Sequence, residues 1–351
     1  MPATTLDSLY TKVAQKVLKE TLQVKKGDSV TVETWDNGLP FARRALAEAR
    51  ACGCSAVMIY EDERAYVEGV RRAPEDSVGT MGKNEFGLLS GTDSYIFIPG
   101  QALGPYSKTL KPEERERSTR YNMSWYEAAQ KAGLKGARLS FGYVGKDVAK
   151  ILGVRVEDAV QTQLKAALTD FGQISRVARK ASGLLGDGGA ELETRRASMT
   201  FSLKGESEVE DGVVDDQDKK TGGNMAYVPP GYVSKEVDPH SANGTVVLTD
   251  TLTAYGVIGS VRLDFRDGQV VGWESSDKGA VKKLFDSVAS EKRRLDLIIV
   301  GVNPAMKFGA GQDRFVEGSV TLGGFGFRGL VKKGTLKAGG SAVVSDGRLP
   351  G

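Results

Sequence analysis

One histidine, His240, serves the whole chain of 351 residues. Most metallohydrolase centres use two or more imidazoles, and most nucleophilic sites use a histidine base, so this scarcity excludes much familiar chemistry. Cysteine is almost as rare. Cys52 and Cys54 are separated only by Gly53, too close for an ordinary disulfide and one residue short of a redox Cys-x-x-Cys pair. They are expected to be reduced and to mark a tight helix-to-strand turn before the apolar run Ser55 to Tyr60. No segment approaches the ~20 apolar residues needed to span a bilayer, and the N-terminus lacks a basic stretch followed by an apolar run. The expectation is a soluble, cytoplasmic protein with no membrane partner. A strong charge of either sign is also missing: 48 basic and 45 acidic side chains leave +3, too little to gather nucleic acid or anionic lipid. No phosphate-cradling loop occurs, because the glycine run Gly323 to Gly329 precedes no helical pattern.

What is present is ordinary globular material, 40% hydrophobic and 26% charged, in a chain long enough for two cores. Val13, Val17, Leu18 and Leu22 recur at helical spacing, and Ser29 to Thr34 has the β-branched content of a strand. Pro40 suits the first turn of a helix over Phe41 to Ala51, and Ala56 to Tyr60 reads as a strand buried on both faces. The alternation continues with a strand at Tyr95 to Ile98, a helix from Trp125 to Ala132 and a strand at Ala137 to Phe141. A helix from about Val156 to Thr169 and a strand near Ile174 to Ala178 complete it. Repeated strand-helix-strand order predicts an α/β domain with a largely parallel sheet over residues 1–182.

Helical periodicity thins out after the glycine-rich stretch Gly183 to Gly189. Leu192 to Leu203, Gly244 to Leu248, Gly259 to Phe265, Val270 to Ser275, Leu297 to Val300 and Val316 to Leu322 read as strands, with one helix near Val281 to Lys292. Asp267-Gly268 is a two-residue hairpin signal. Residues 183–351 are therefore expected to form a mostly antiparallel, β-rich (α+β) domain. Glu206 to Asp218 is an acidic stretch without the twelve-residue spacing of an EF-hand, and a solvated loop is the expectation there.

Four segments of this second domain carry a resemblance: Thr200 to Gly205, Gly244 to Val247, the hairpin Leu263 to Val271, and Gly301-Val302-Asn303-Pro304. In order and approximate spacing they resemble the thermophilic aminopeptidases, the aminopeptidase T and S type of leucyl aminopeptidase. That resemblance implies a homodimer and a two-metal peptidase site of two glutamates, two histidines, a tyrosine and an aspartate, which polarises a carbonyl and supplies hydroxide. The ligand positions it implies are changed here. The first glutamate aligns with Asn224, a neutral and weaker donor, and the second with Leu297, which cannot ligate. The first histidine aligns with Thr321, and no histidine follows Leu322 for the last one. The same scaffold is similar to mononuclear iron dioxygenases that open dihydroxypyridine rings, whose two histidines and aspartate one histidine cannot supply.

Two readings follow. In the first the dinuclear site is lost, no metal is expected, and the cleft between the domains binds a peptide or protein ligand, or the chain serves assembly. In the second a metal-dependent aminopeptidase holds two divalent ions (Zn, Co or Mn) through the substitutes Glu236, Asp238, His240 and Asp296. Tyr227 and Arg328 are further residues expected to face the cleft.

Overall fold

The computed structural model describes residues 4–74, 77, 81–215, 223–253, 256–286 and 288–350. They form two compact units. The first comprises 1–150, 155–168 and 212–229; the second comprises 151–154, 169–211 and 230–351.

The first unit is built on a sheet of five strands, all parallel: β1 (Ser29–Trp35), β2 (Ser55–Glu61), β3 (Ser94–Ile98), β4 (Lys135–Leu139) and β7 (Met225–Val228), in the order β2-β1-β3-β4-β7. Helices α1 (Thr4–Lys16), α2 (Leu39–Ala51) and α7 (Val156–Ala167) pack together, α2 against β1 and β2. Helix α2 begins as its sequence predicts, with Pro40 in the first turn. It buries Phe41, Ala42, Ala45 and Ala49 along one stripe. Helices α3 (Glu63–Arg72), α4 (Lys83–Ser90) and α5 (Pro112–Lys131) form a second group, with Leu89 of α4 and Ala129 of α5 packed on Tyr95 of β3. Helix α5 starts thirteen residues before the expected Trp125. Its first turns, Glu113 to Arg117, have no apolar period to announce a helix; Glu114 instead accepts the Lys111 amide at 2.8 Å and caps the end. A short helix, α6 (Lys146–Leu152), follows β4.

The second unit corrects one element. Residues 174–178, expected as a strand, lie inside α8 (Phe171–Leu184). Asp170 caps it by accepting the Gly172 and Gln173 amides at 2.8 and 3.3 Å, and Ile174, Ala178, Ala181 and Leu185 repeat at helical spacing on the buried side. A five-residue window hid that period. An antiparallel sheet of eleven strands makes up the rest. In chain order these are β5 (Gly188–Thr194), β6 (Ala197–Glu210), β8 (Tyr232–Val237), β9 (Asn243–Thr253), β10 (Gly256–Arg266) and β11 (Gln269–Ser275). Then come β12 (Leu297–Gly301), β13 (Val320–Gly323), β14 (Gly329–Val331), β15 (Thr335–Ala338) and β16 (Ser341–Val344). The order is β11-β10-β9-β14-β13-β12-β8-β6-β5-β15-β16, and an additional β9–β6 pairing closes six of these strands into a ring. Ring closure removes edges for six strands at once. The expected helix near Val281 is α9 (Lys278–Asp286), and Asp267-Gly268 makes the hairpin turn with both φ angles positive, 49° and 79°. The acidic stretch is not all loop, since Glu206, Glu208 and Glu210 belong to β6; Asp216 and Asp218 lie outside the described residues. The fold class is thus a parallel α/β unit joined to an antiparallel β-rich unit.

Candidate functional site

The positions implied by the aminopeptidase resemblance can be followed one by one. In the second unit, Leu297 opens β12, between Glu236 of β8 and Gly323 of β13, with which it is in register. Thr321 faces Ile299 from β13, is 4% exposed, and its hydroxyl has no hydrogen-bond partner. A leucine side chain and a lone hydroxyl therefore stand on the strand face where charged donors would be needed. Glu236 and Asp296 are exposed at the same end of these strands. Partial burial raises the Asp296 carboxyl above its ordinary range, Arg328 opposes this, and Glu236 adds to it. The carboxylate pair is thus already attended by a cation, Arg328. Asp238 spends its carboxylate on the His240 amide at 3.0 Å, and His240 itself is exposed on the loop after β8. In the first unit, Asn224 precedes β7; its backbone oxygen accepts the Gly136 amide at 2.7 Å, and its side-chain nitrogen is buried without a partner. Among the described residues no three His, Cys, Asp or Glu side chains form a group able to hold a metal ion. The donor set here does not fit a dinuclear metal centre, nor a two-histidine iron site.

A different constellation emerges inside the first unit. Parallel register places Glu33, Phe97, Arg138 and Tyr227 in one row across β1, β3, β4 and β7. Because side chains alternate along a strand, Trp35, Glu61 and Tyr95 share their face. This face meets a cavity of about 270 Å³, just below the usual range of small-ligand pockets, roughly 300–1,000 Å³. Tyr66 of α3 and Trp125 of α5 supply the opposite wall. The sheet steps one way from β1 to β2 and the other way from β1 to β3, so the cavity sits at the carboxyl ends of the strands where their order reverses. Open α/β sheets bind ligands in that crevice.

Charge on a helix-covered sheet face is costly, and Arg138, Glu63, Glu85 and Glu33 each have hydrogen-bond partners, although the Arg138 Nε has none. The Arg138 guanidinium donates to the hydroxyls of Tyr126 (2.5 Å) and Tyr143. It lies 5.2, 5.4 and 5.8 Å from the ring centres of Phe97, Tyr143 and Tyr227. Glu63 accepts the Ser107 and Tyr106 amides at 2.8 and 3.2 Å, and Glu85 accepts the Tyr121 hydroxyl and the Gly82 amide, the latter at 2.6 Å. Glu33 accepts the Tyr95 hydroxyl. Burial pushes the Glu33 carboxyl up to about 7; Tyr95 opposes the rise, Glu61 and Glu85 add to it, and Arg138 subtracts. Glu61 is also raised, by burial first and then by Asp62 and Glu85. Of the residues expected to face a cleft, Tyr227 joins this constellation through Arg138. Glu33 and Arg138 carried a sequence signal, a charge inside a strand predicted to be covered by helices.

No family model matches the chain, and no curated protein matches it. Among solved structures it is similar to wild-type AmpT, the aminopeptidase T of Thermus thermophilus, with a TM-score of 0.70 and 14% identity over 98% of this chain and 100% of that one. It is also similar to the 2,5-dihydroxypyridine dioxygenase of Pseudomonas putida KT2440, with a TM-score of 0.66 and 13% identity over 98% and 97%. At such identities the likeness is one of fold, and the fold is that of an aminopeptidase T-like protein.

Proposed function

We propose that this protein is a non-catalytic binding or assembly protein on an aminopeptidase T-like scaffold, having given up the dinuclear metal site that the resemblance implies. The observation that carries this reading is the donor set of the second unit. Leu297 and Thr321 stand where the resemblance implies two ligands, Asp238 is engaged with a backbone amide, and the single histidine is exposed on a loop. A dication leaves water only when anionic and imidazole donors replace its hydration shell, and a hydrocarbon with one hydroxyl cannot do so. Among the described residues no helix is long and apolar enough to cross a membrane. A cytoplasmic homodimer with a peptide or protein ligand remains the working description.

Activity tests the proposal directly. A broad panel of aminoacyl anilides and short peptides, assayed with added Zn²⁺, Co²⁺ or Mn²⁺, is expected to show no chelator-sensitive release of N-terminal residues. Turnover that disappears with chelator and falls on removing Glu236 or Asp296 would restore the hydrolytic reading with substitute ligands.

A further inference from the structure

The cavity of the first unit stands apart from the metal question, since all of its lining residues belong to that unit. We propose that it binds a small organic cation, an ammonium or trimethylammonium on a compact apolar group. Glu33 and Glu61 supply the counter-charge, and Trp35, Tyr66, Phe97 and Trp125 the walls.

Charge accounting decides the sign of the ligand. Four carboxyl groups, Glu33, Glu61, Glu63 and Glu85, stand in or beside the cavity against one guanidinium, Arg138. Arg138 donates to two tyrosine hydroxyls and lies against three ring faces, while its Nε is buried without a hydrogen-bond partner. Glu63 and Glu85 are committed to backbone amides, with Tyr121 in addition on Glu85. Glu33 receives only the Tyr95 hydroxyl among the described residues, although it sits deep in the unit and lines the empty volume. With four carboxyl groups against one guanidinium, the balance of charge in and beside the cavity is anionic.

The walls agree with that sign. Trp35 and Tyr66 meet edge to face at 5.1 Å, and Trp125 makes the same contact with Tyr95 at 5.1 Å and with Tyr126 at 5.5 Å. Aromatic ring faces carry negative potential, which attracts an ammonium and repels a carboxylate. A ligand anion near Arg138 would have to lie against these faces and within the field of Glu33 and Glu61. The titratable and charged neighbours of Glu33 come from every element packed on it: Tyr95 of β3, Glu61 of β2, Glu85 of α4, Tyr121 of α5 and Arg138 of β4. Since the Glu33 carboxyl titrates at about 7, it is mostly protonated at pH 6 and mostly ionised at pH 8. Only the ionised form attracts a cation strongly, so affinity rises about tenfold between those pH values.

Calorimetric titration of the full chain with benzyltrimethylammonium, benzyl alcohol and benzoate tests the proposal. Saturable binding of the cation alone is expected, about tenfold tighter at pH 8 than at pH 6 and at least tenfold weaker in Glu33→Gln. Glutamine keeps an acceptor for Tyr95. A second measurement uses the unaltered protein and so does not depend on a variant folding. At pH 6.5, cation binding repeated in buffers of different ionisation enthalpy should release most of a proton per ligand bound. Benzoate binding as well as the cation, no binding of the cation, or binding without proton release and without pH dependence would each overturn the proposal. None of these outcomes bears on the metal content of the second unit.

Discussion

The two units hold their sheets by opposite means. The second unit wraps antiparallel strands into a ring around an almost wholly apolar interior, and where its resemblance implies charged metal ligands it presents Leu297 and Thr321. The first unit covers a parallel sheet on both sides yet keeps Glu33, Glu61 and Arg138 on one covered face, beside an open volume. The second unit thus lacks charge at the two positions where the resemblance implies ligands, and the first keeps charge beside its cavity. Retained buried charge costs stability, and that cost is expected only where it serves binding.

Mutations can break this contrast. The largest effect is expected in the apolar core of the second unit, on the loop between β13 and β14. Phe325 is fully buried, 4.7 Å from the Phe327 ring centre and 5.8 Å from that of Phe265. Phe325→Ala should cost about 4 kcal/mol in denaturant unfolding. A loss much below this would mean that this apolar core does not carry the second unit.

Glu33→Gln should act in the opposite direction. The folded-state pKa of about 7 stands above the ordinary 4.5. Between those values the folded chain keeps a proton that the unfolded chain has released, so stability falls as pH rises through this window and levels off above it. The amide removes that penalty. It should stabilise the protein by on the order of 2 to 3 kcal/mol at pH 8, after discounting for water in the cavity, and by nothing near pH 4.5. A variant less stable than its parent at pH 8 would show that the Glu33 charge supports the fold.

Smaller effects sharpen the boundaries of the second unit. A Cβ on Gly268 would stand 1.8 Å from the Pro239 carbonyl oxygen at a φ of 79°, and Gly268→Ala should cost about 2 kcal/mol. Asp170→Ala, which uncaps α8, should cost about 1 kcal/mol, read from the shift in unfolding midpoint.

The sequence made β1 to β4 legible because each is a short apolar or β-branched run between turn residues, and the Asp267-Gly268 hairpin because its turn chemistry is local. Strand β7 was not expected, and β2, expected to be buried on both faces, is an edge strand that exposes Val57, Met58 and Tyr60. Helix α8 was misread because Ile174 and Ala178 fit a strand in a short window, and their helical partners Ala181 and Leu185 lie beyond it. The cavity was not legible at all. Glu33, Phe97 and Arg138 are far apart in the chain and meet only through parallel register, which no single segment encodes. The positions at which the resemblance implies ligands were readable only through it; their exposure and hydrogen bonds required the fold.

The most direct test of the central claim is metal content. The purified chain would be equilibrated with Zn²⁺, Co²⁺ or Mn²⁺, freed of loosely held ions and submitted to elemental analysis. The donor set of the second unit predicts well under one ion per chain. Two firmly held ions per chain would contradict it.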